Sequence, residues 1–131
     1  MREHIAAIED LLAPLGYETY YVDVPDTPAL PYVLLWGSSG TPTAERPVGF
    51  PDLGDDDLTD LLGVTCVAGT AYGVLTLRST VRAVLNDSRP DVAGRFVELH
   101  LFDSRDTQVD RDVDPHVPYG VDLYRLVSNP A

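Results

Sequence analysis

Asp110, Asp112 and Asp114 alternate through Asp110-Arg111-Asp112-Val113-Asp114, the spacing with which a calcium loop opens. Such a loop needs glycine at its sixth position for a sharp turn and a bidentate glutamate at its twelfth. Pro115 and Val121 stand there instead, so the stretch reads as a solvated acidic loop. His116 follows closely, but zinc or iron chemistry needs three or four convergent ligands, and His4 and His100 show no pairing pattern with it. Gly37-Ser38-Ser39-Gly40 lacks the Gly-x-Ser-x-Gly spacing of a nucleophile elbow, and nothing after it suggests a helix. The chain has no lysine, which excludes a Walker phosphate loop. Cys66 is alone, in an apolar strand pattern, where a thiol is buried and inert; a reactive thiolate needs an electropositive, partly exposed setting. Neither a catalytic constellation nor a metal or cofactor site emerges, and the chain reads as a non-enzyme.

Charge narrows the classes further. Sixteen Asp and five Glu stand against nine Arg, a formal net charge of −12. A nucleic-acid clamp needs a basic footprint to displace counterions, and an anionic membrane surface attracts basic segments. Neither is offered here. Met1-Arg2-Glu3-His4 runs straight into an amphipathic segment rather than a signal sequence, and no apolar run approaches the ~20 residues of a membrane span. The reading is a protein made in a reducing cytoplasm.

The elements follow from periodicity. Met1, Ile5, Ile8, Leu12 and Leu15 form a helical stripe, which Pro14 and Gly16 bring to an end near Ala13. Tyr17–Val22 and the nearly continuous apolar run Tyr32–Trp36 read as strands, separated by a proline-rich loop. From Gly37 to Asp57 periodicity vanishes: three Pro, four Gly and two Ser, with only Val48, Phe50 and Leu53 as apolar anchors. A loop this long in a small domain is uncommon and usually functional or disordered. It reads as an arm that orders on a partner. Leu58–Gly69 returns to strand character, and Thr70–Leu85 is the central helix, with Thr70 as its N-cap. Val97, Leu99 and Leu101 alternate with Glu98 and His100 in a strand over Arg95–Asp103. Ser104–Pro118 is acidic and loop-like, although Thr107-Gln108-Val109 offers a short ribbon, and Tyr119–Val127 closes the domain. The prediction is one α+β domain over residues 1–131. It has a mainly antiparallel sheet of four to five strands, two helices on one face, and a long loop between the second and third strands.

The central helix carries Val74, Leu77, Val81, Val84 and Leu85 toward the core. Its other face shows Thr76, Ser79, Thr80 and Ala83, small and uncharged, where a free surface usually carries Glu, Lys or Gln. Small side chains let another backbone approach closely. Arg78 and Arg82, four residues apart, flank the stripe, and Arg89 and Arg95 follow to make a local positive patch. One face of positive charge and acidic loops elsewhere suit a head-to-tail contact between identical subunits.

Along nearly its whole length the chain resembles the tail terminator, or tail completion, proteins of long-tailed bacteriophages. Ala29-Leu30-Pro31-Tyr32-Val33-Leu34-Leu35 is similar to the family's "LPYV" second strand. The Arg-bearing helix Ala71–Leu85 leads to Arg95-Phe96-Val97-Glu98-Leu99. Tyr119-Gly120-Val121-Asp122-Leu123-Tyr124-Arg125-Leu126 resembles the family's final "G-V-x-x-Y/F-R" strand. The resemblance implies a virion protein of the tail–head junction, made in the host bacterium. It implies a homo-oligomeric ring, a hexamer, that ends polymerisation of the tail tube protein and meets a head-side connector or stopper. Genomic DNA would pass its lumen without specific binding, which a net negative charge favours.

On this reading Thr76, Arg78, Ser79, Thr80, Arg82 and Ala83 form the subunit interface. Val48, Phe50, Leu53, Asp106, Asp110 and Asp112 lie on loops that touch adjoining rings. The alternatives are another neck component such as a head-closure protein, a small metal-dependent α+β enzyme built from scattered Asp and His, and a monomeric ligand-binding domain. Metal-dependent thermal stabilisation would mark the enzyme. If Arg78 and Arg82 hold subunits together, reversing both charges abolishes the ring; if they merely solvate the helix, assembly survives.

Overall fold

The computed structural model describes residues 2–37, 58–112 and 116–131. Helix α1 (Arg2–Leu12) ends in a 3-10 turn over Ala13–Leu15, closed by Gly16 at φ +80°, a left-handed conformation that glycine adopts without strain. Strands β1 (Glu18–Tyr21) and β2 (Tyr32–Gly37) are followed by β3 (Leu58–Val67), helix α2 (Ala71–Leu85), β4 (Arg95–Ser104), β5 (Gln108–Asp110) and β6 (Val117–Pro130). Residues 38–57 separate β2 from β3, so Val48, Phe50 and Leu53 lie outside the described residues.

The strands form one open sheet in the order β1-β2-β3-β6-β4, with β5 also on β6. β1 and β2 run parallel, and every other pair is antiparallel. The α+β architecture is as predicted, with one strand more than expected. The extra strand is β5, formed in the stretch read as an acidic loop, because Gln108, Val109 and Asp110 pair with Tyr119, Pro118 and Val117.

Register assigns the two faces. Val33 and Leu35 of β2, Leu62, Val64 and Cys66 of β3, Val97 and Leu99 of β4, and Tyr124 and Leu126 of β6 share the inner face and are buried. Ile5, Ile8 and Leu12 of α1 and Val74, Leu77, Val81 and Leu85 of α2 complete that core, so both helices cover the same face. Fully burying one such side chain contributes about 1.5–3 kcal/mol, which is why these two stripes dictate where the helices sit. On the outer face stand Tyr32, Leu34 and Trp36 of β2, Leu61 and Thr65 of β3, and Val121 and Leu123 of β6. No helix among the described residues covers them.

Two local devices hold the pattern. Trp36 lies flat over Gly63 and donates from Nε1 to Thr65 Oγ1 at 2.9 Å; a Cβ at Gly63 would stand 2.2 Å from the indole. At the other end of the sheet, His4 is buried against Ser128, with Nε2 2.7 Å from the hydroxyl oxygen. Arg95 Nε donates to that same hydroxyl, which leaves the serine proton for His4 Nε2 and suits a neutral imidazole. Burial, followed by the nearby positive charges of the N-terminus and Arg95, lowers the His4 pKa.

Trp36 is the sole tryptophan and reports on its own packing. Gly63→Ala is expected to displace the ring, cost about 1–3 kcal/mol and shift the emission maximum to the red, read by fluorescence through a urea titration. For His4 the sign is that of a group whose folded pKa lies below its unfolded value of about 6.5. The unfolded chain binds the proton first as pH falls, so stability drops below that pH. His4→Gln keeps a polar partner for Ser128 and should flatten the difference in urea midpoint between pH 8 and pH 5.

Candidate functional site: the second helix and its charged footing

Thr70 starts α2 as predicted: its backbone is extended at φ −137°, and its hydroxyl accepts from the Gly73 amide at 2.9 Å. Asn86 and Asp87 then end the helix, and Asn86 Oδ1 accepts from the Leu101 amide, so the same residues that stop α2 fasten it to β4.

Arg78 lies on the inner side of α2 and is only 5% exposed. Its Nη2 donates to Asp122 Oδ1 at 2.7 Å, to Ser104 Oγ and to the Arg105 carbonyl, and its Nη1 donates to Thr107 Oγ1. One turn on, Arg82 Nε donates to Asp122 Oδ2 at 2.9 Å and its Nη2 to Oδ1 at 2.7 Å, a bidentate pair. One carboxylate thus holds two guanidiniums, and Asp122 itself is 1% exposed. Burial alone would raise the Asp122 pKa; the hydrogen bonds from Arg82, Arg78 and Ser104 outweigh it and hold the carboxyl below its ordinary range. Donating to Asp122 likewise raises the pKa of Arg82.

Two backbone features make room for this footing. A Cβ at Gly120 would lie 2.6 Å from Arg78 Cδ, so the bare backbone there lets the arginine cross the strand. A bulge between Leu101 and Asp103 shifts the register of β4, so that Ser104 rather than Asp103 pairs with Asp122 and faces the helix. Phe102 sits at the bulge, exposed on the outer face, and the Arg125 guanidinium lies 4.7 Å from its ring centroid.

Sequence patterning placed Arg78 and Arg82 on a surface open to a neighbouring subunit. The structure gives both a partner inside their own chain, and Arg78 is almost wholly buried there. The positive patch also disperses: Arg89 reaches Glu98 at 3.6 Å, and Arg95 is bound to Ser128. Thr76, Ser79 and Ala83 are exposed as predicted, while Thr80 is half-buried and bonds back to the Thr76 carbonyl at 2.9 Å. Two residues the sequence reading passed over join that face, Tyr72 at 84% and Leu75 at 52% exposure. They are apolar residues off the buried stripe, which was their signal. Asp106 and Asp112 are exposed beyond the helix, and Asp110 lies half-buried in β5.

Cys66 is buried, and burial pushes its thiol up to about 12. Among the described residues no group of three His, Cys, Asp or Glu side chains converges as a metal site. His100 is held by Asp87 at 2.7 Å and Glu98 at 3.3 Å on an exposed edge, and those hydrogen bonds raise its pKa.

No family model matches the sequence, and no curated protein matches it significantly. Its fold is similar to that of a chain in the virion of a native gene transfer agent particle, with a TM-score of 0.61 and 14% identity over 95% of this chain and 93% of that one.

Asp122→Asn leaves two guanidiniums without a countercharge, one of them buried. The expected loss is about 3–5 kcal/mol of unfolding free energy, measured by urea denaturation. Gly120→Ala should lose part of the same network by pushing Arg78 aside, whereas Thr76→Ala on the exposed side should stay within about 0.5 kcal/mol.

Proposed function

We propose that this chain is a structural protein of a phage-like virion, assembling as a homo-oligomeric ring at the end of a tail tube. There it stops polymerisation of the tube protein and presents a face to the head-side connector. The observation that carries the reading is the fold shared, over nearly the whole of both chains, with a chain of the gene transfer agent virion. The resemblance of Leu30-Pro31-Tyr32-Val33 and of the closing strand Tyr119–Leu126 to tail terminators supports the finer assignment.

The chemistry of α2 fits a subunit contact. Tyr72, Leu75, Thr76, Ser79 and Ala83 make an exposed stripe without a single charge, on a protein whose net charge is −12. Burying that stripe against a neighbour removes apolar area from water and leaves no unpaired charge behind. Arg78 and Arg82 serve the contact indirectly, by fixing the axial position of the helix. Asp106, which lines a hollow with Leu75 and Ser79, and the exposed Asp112 are candidates for contact with adjoining rings. The excess of negative charge keeps phosphate backbones from adhering to the lumen.

Because Arg78 is part of the fold, reversing it tests folding as much as assembly. The exposed stripe tests assembly alone. Leu75→Asp combined with Ser79→Asp should leave the denaturation midpoint nearly unchanged, since exposed positions tolerate substitution. The same variant should fail to limit the length of polymerising tail tubes in negative-stain micrographs, where the unmodified chain caps them. Normal capping by the variant would remove α2 from the interface, and uncapped tubes with the unmodified chain would overturn the terminator reading.

A further inference from the structure

A hollow of about 390 Å³ opens beside the exposed stripe of α2. Leu75, Ser79 and Arg82 of the helix line it, together with Arg105, Asp106 and Thr107 of the connection between β4 and β5. Several donors there are uncommitted. Arg82 gives Nε and Nη2 to Asp122 and Ser104, whereas its Nη1 has no partner among the described residues. Arg105 is 66% exposed, and its ion pair with Asp103, 3.6 Å from Nε to Oδ2, is beyond hydrogen-bonding distance. Thr107 Oγ1 accepts from Arg78 Nη1 at 3.0 Å, which leaves its own hydroxyl proton to donate. Ser79 adds an exposed hydroxyl.

Charge and shape select the ligand. The buried Arg78 also borders the hollow, so three guanidiniums meet one carboxylate in the lining, Asp106, and one behind it, Asp122. Asp122 neutralises one of the two arginines it holds, not both. The contact of Arg105 with Asp103 joins two exposed groups and contributes little. The balance is a local excess of positive charge on a chain whose net charge is −12. An anion with a single charge offsets that excess, whereas a phosphate dianion would overshoot it and stand against Asp106. Planar guanidinium edges also match the two oxygens of a carboxylate.

We propose that the hollow binds a carboxylate, held by Arg82 Nη1 and the Arg105 guanidinium, with hydrogen bonds from the hydroxyls of Thr107 and Ser79. The carboxylate belongs either to a free organic acid or to an Asp or Glu of another copy of this chain; the recognising chemistry is the same. Every group that holds it comes from a single chain, so the site does not depend on the ring.

The test is protection of Arg105 from phenylglyoxal, an arginine-selective reagent, followed by peptide mass spectrometry of the full chain at high dilution. Sodium acetate is compared with sodium chloride at the same concentration, which holds ionic strength fixed. With acetate at about twice its dissociation constant, Arg105 should react at least about threefold more slowly. Arg89, 81% exposed and away from the hollow, should react at an unchanged rate and serves as the internal control. Ser79→Asp, at an exposed position, sets a carboxylate of the chain's own at the rim and should abolish the effect of acetate. Equal slowing of Arg105 and Arg89, or of neither, overturns the site. Stronger protection by inorganic phosphate at matched ionic strength overturns the assignment to a carboxylate. Sedimentation velocity of the concentrated chain in the same two salts then separates the sources. Assemblies that dissociate in acetate alone place a carboxylate of another copy in the hollow, and a state of assembly that acetate leaves unchanged assigns it to a free acid. A chain that never assembles overturns the ring reading while the protection of Arg105 upholds the site.

Discussion

Asp122 is the point on which the rest of the molecule turns. Its carboxylate is buried, and a buried carboxylate is costly unless charged and hydrogen-bonding partners surround it. Arg78 and Arg82 supply that surround from consecutive turns of α2, and Ser104 adds a hydroxyl that both guanidiniums share. Because the partners come from α2, β4, β6 and the connection after β4, satisfying one charge fixes the mutual position of four segments. Hydrophobic burial would hold α2 against the sheet without this device, but it is non-directional and would tolerate sliding along the helix axis. The bidentate pair does not.

That fixed helix separates two surfaces of different character. Inward, polar groups are largely satisfied and the apolar stripes closed. Outward, α2 shows a stripe without charge, and the far side of the sheet shows Trp36, Leu61, Phe96 and Phe102 to solvent. Scattered exposed apolar residues are ordinary on a monomer, whereas contiguous ones mark interaction sites. With both helices on one face, the sheet has no second layer among the described residues.

The elements themselves were legible because their periodicities are strong. Val74, Leu77, Val81 and Leu85 could only be a helix stripe, and Thr70, Asn86 and Pro90 bounded it. The end of α1 near Ala13 followed from Pro14 and Gly16, although the 3-10 turn that closes it did not. What the pattern could not give was the partner of each arginine. Arg78 and Arg82 looked like surface charges because a chain of net −12 offers many acidic residues for them, and nothing local marks Asp122 as buried. The clue is non-local: an aspartate in phase with Tyr124 and Leu126 on a core-facing register. The bulge at Phe102 was equally hidden, because an alternating strand reads the same through its first seven residues whether or not it later slips. Ser104 came to the site only through that slip. Tyr72 and Leu75 carried a readable signal, two apolar residues off the buried stripe, that small neighbours obscured.

The account stands or falls on self-association, and native mass spectrometry of the purified chain over a concentration series, with and without tail tubes, measures that most directly. It predicts a six-fold ring, formed either by the chain alone or from monomers once tubes are added. A chain that remains monomeric at every concentration and ignores the tubes would contradict it.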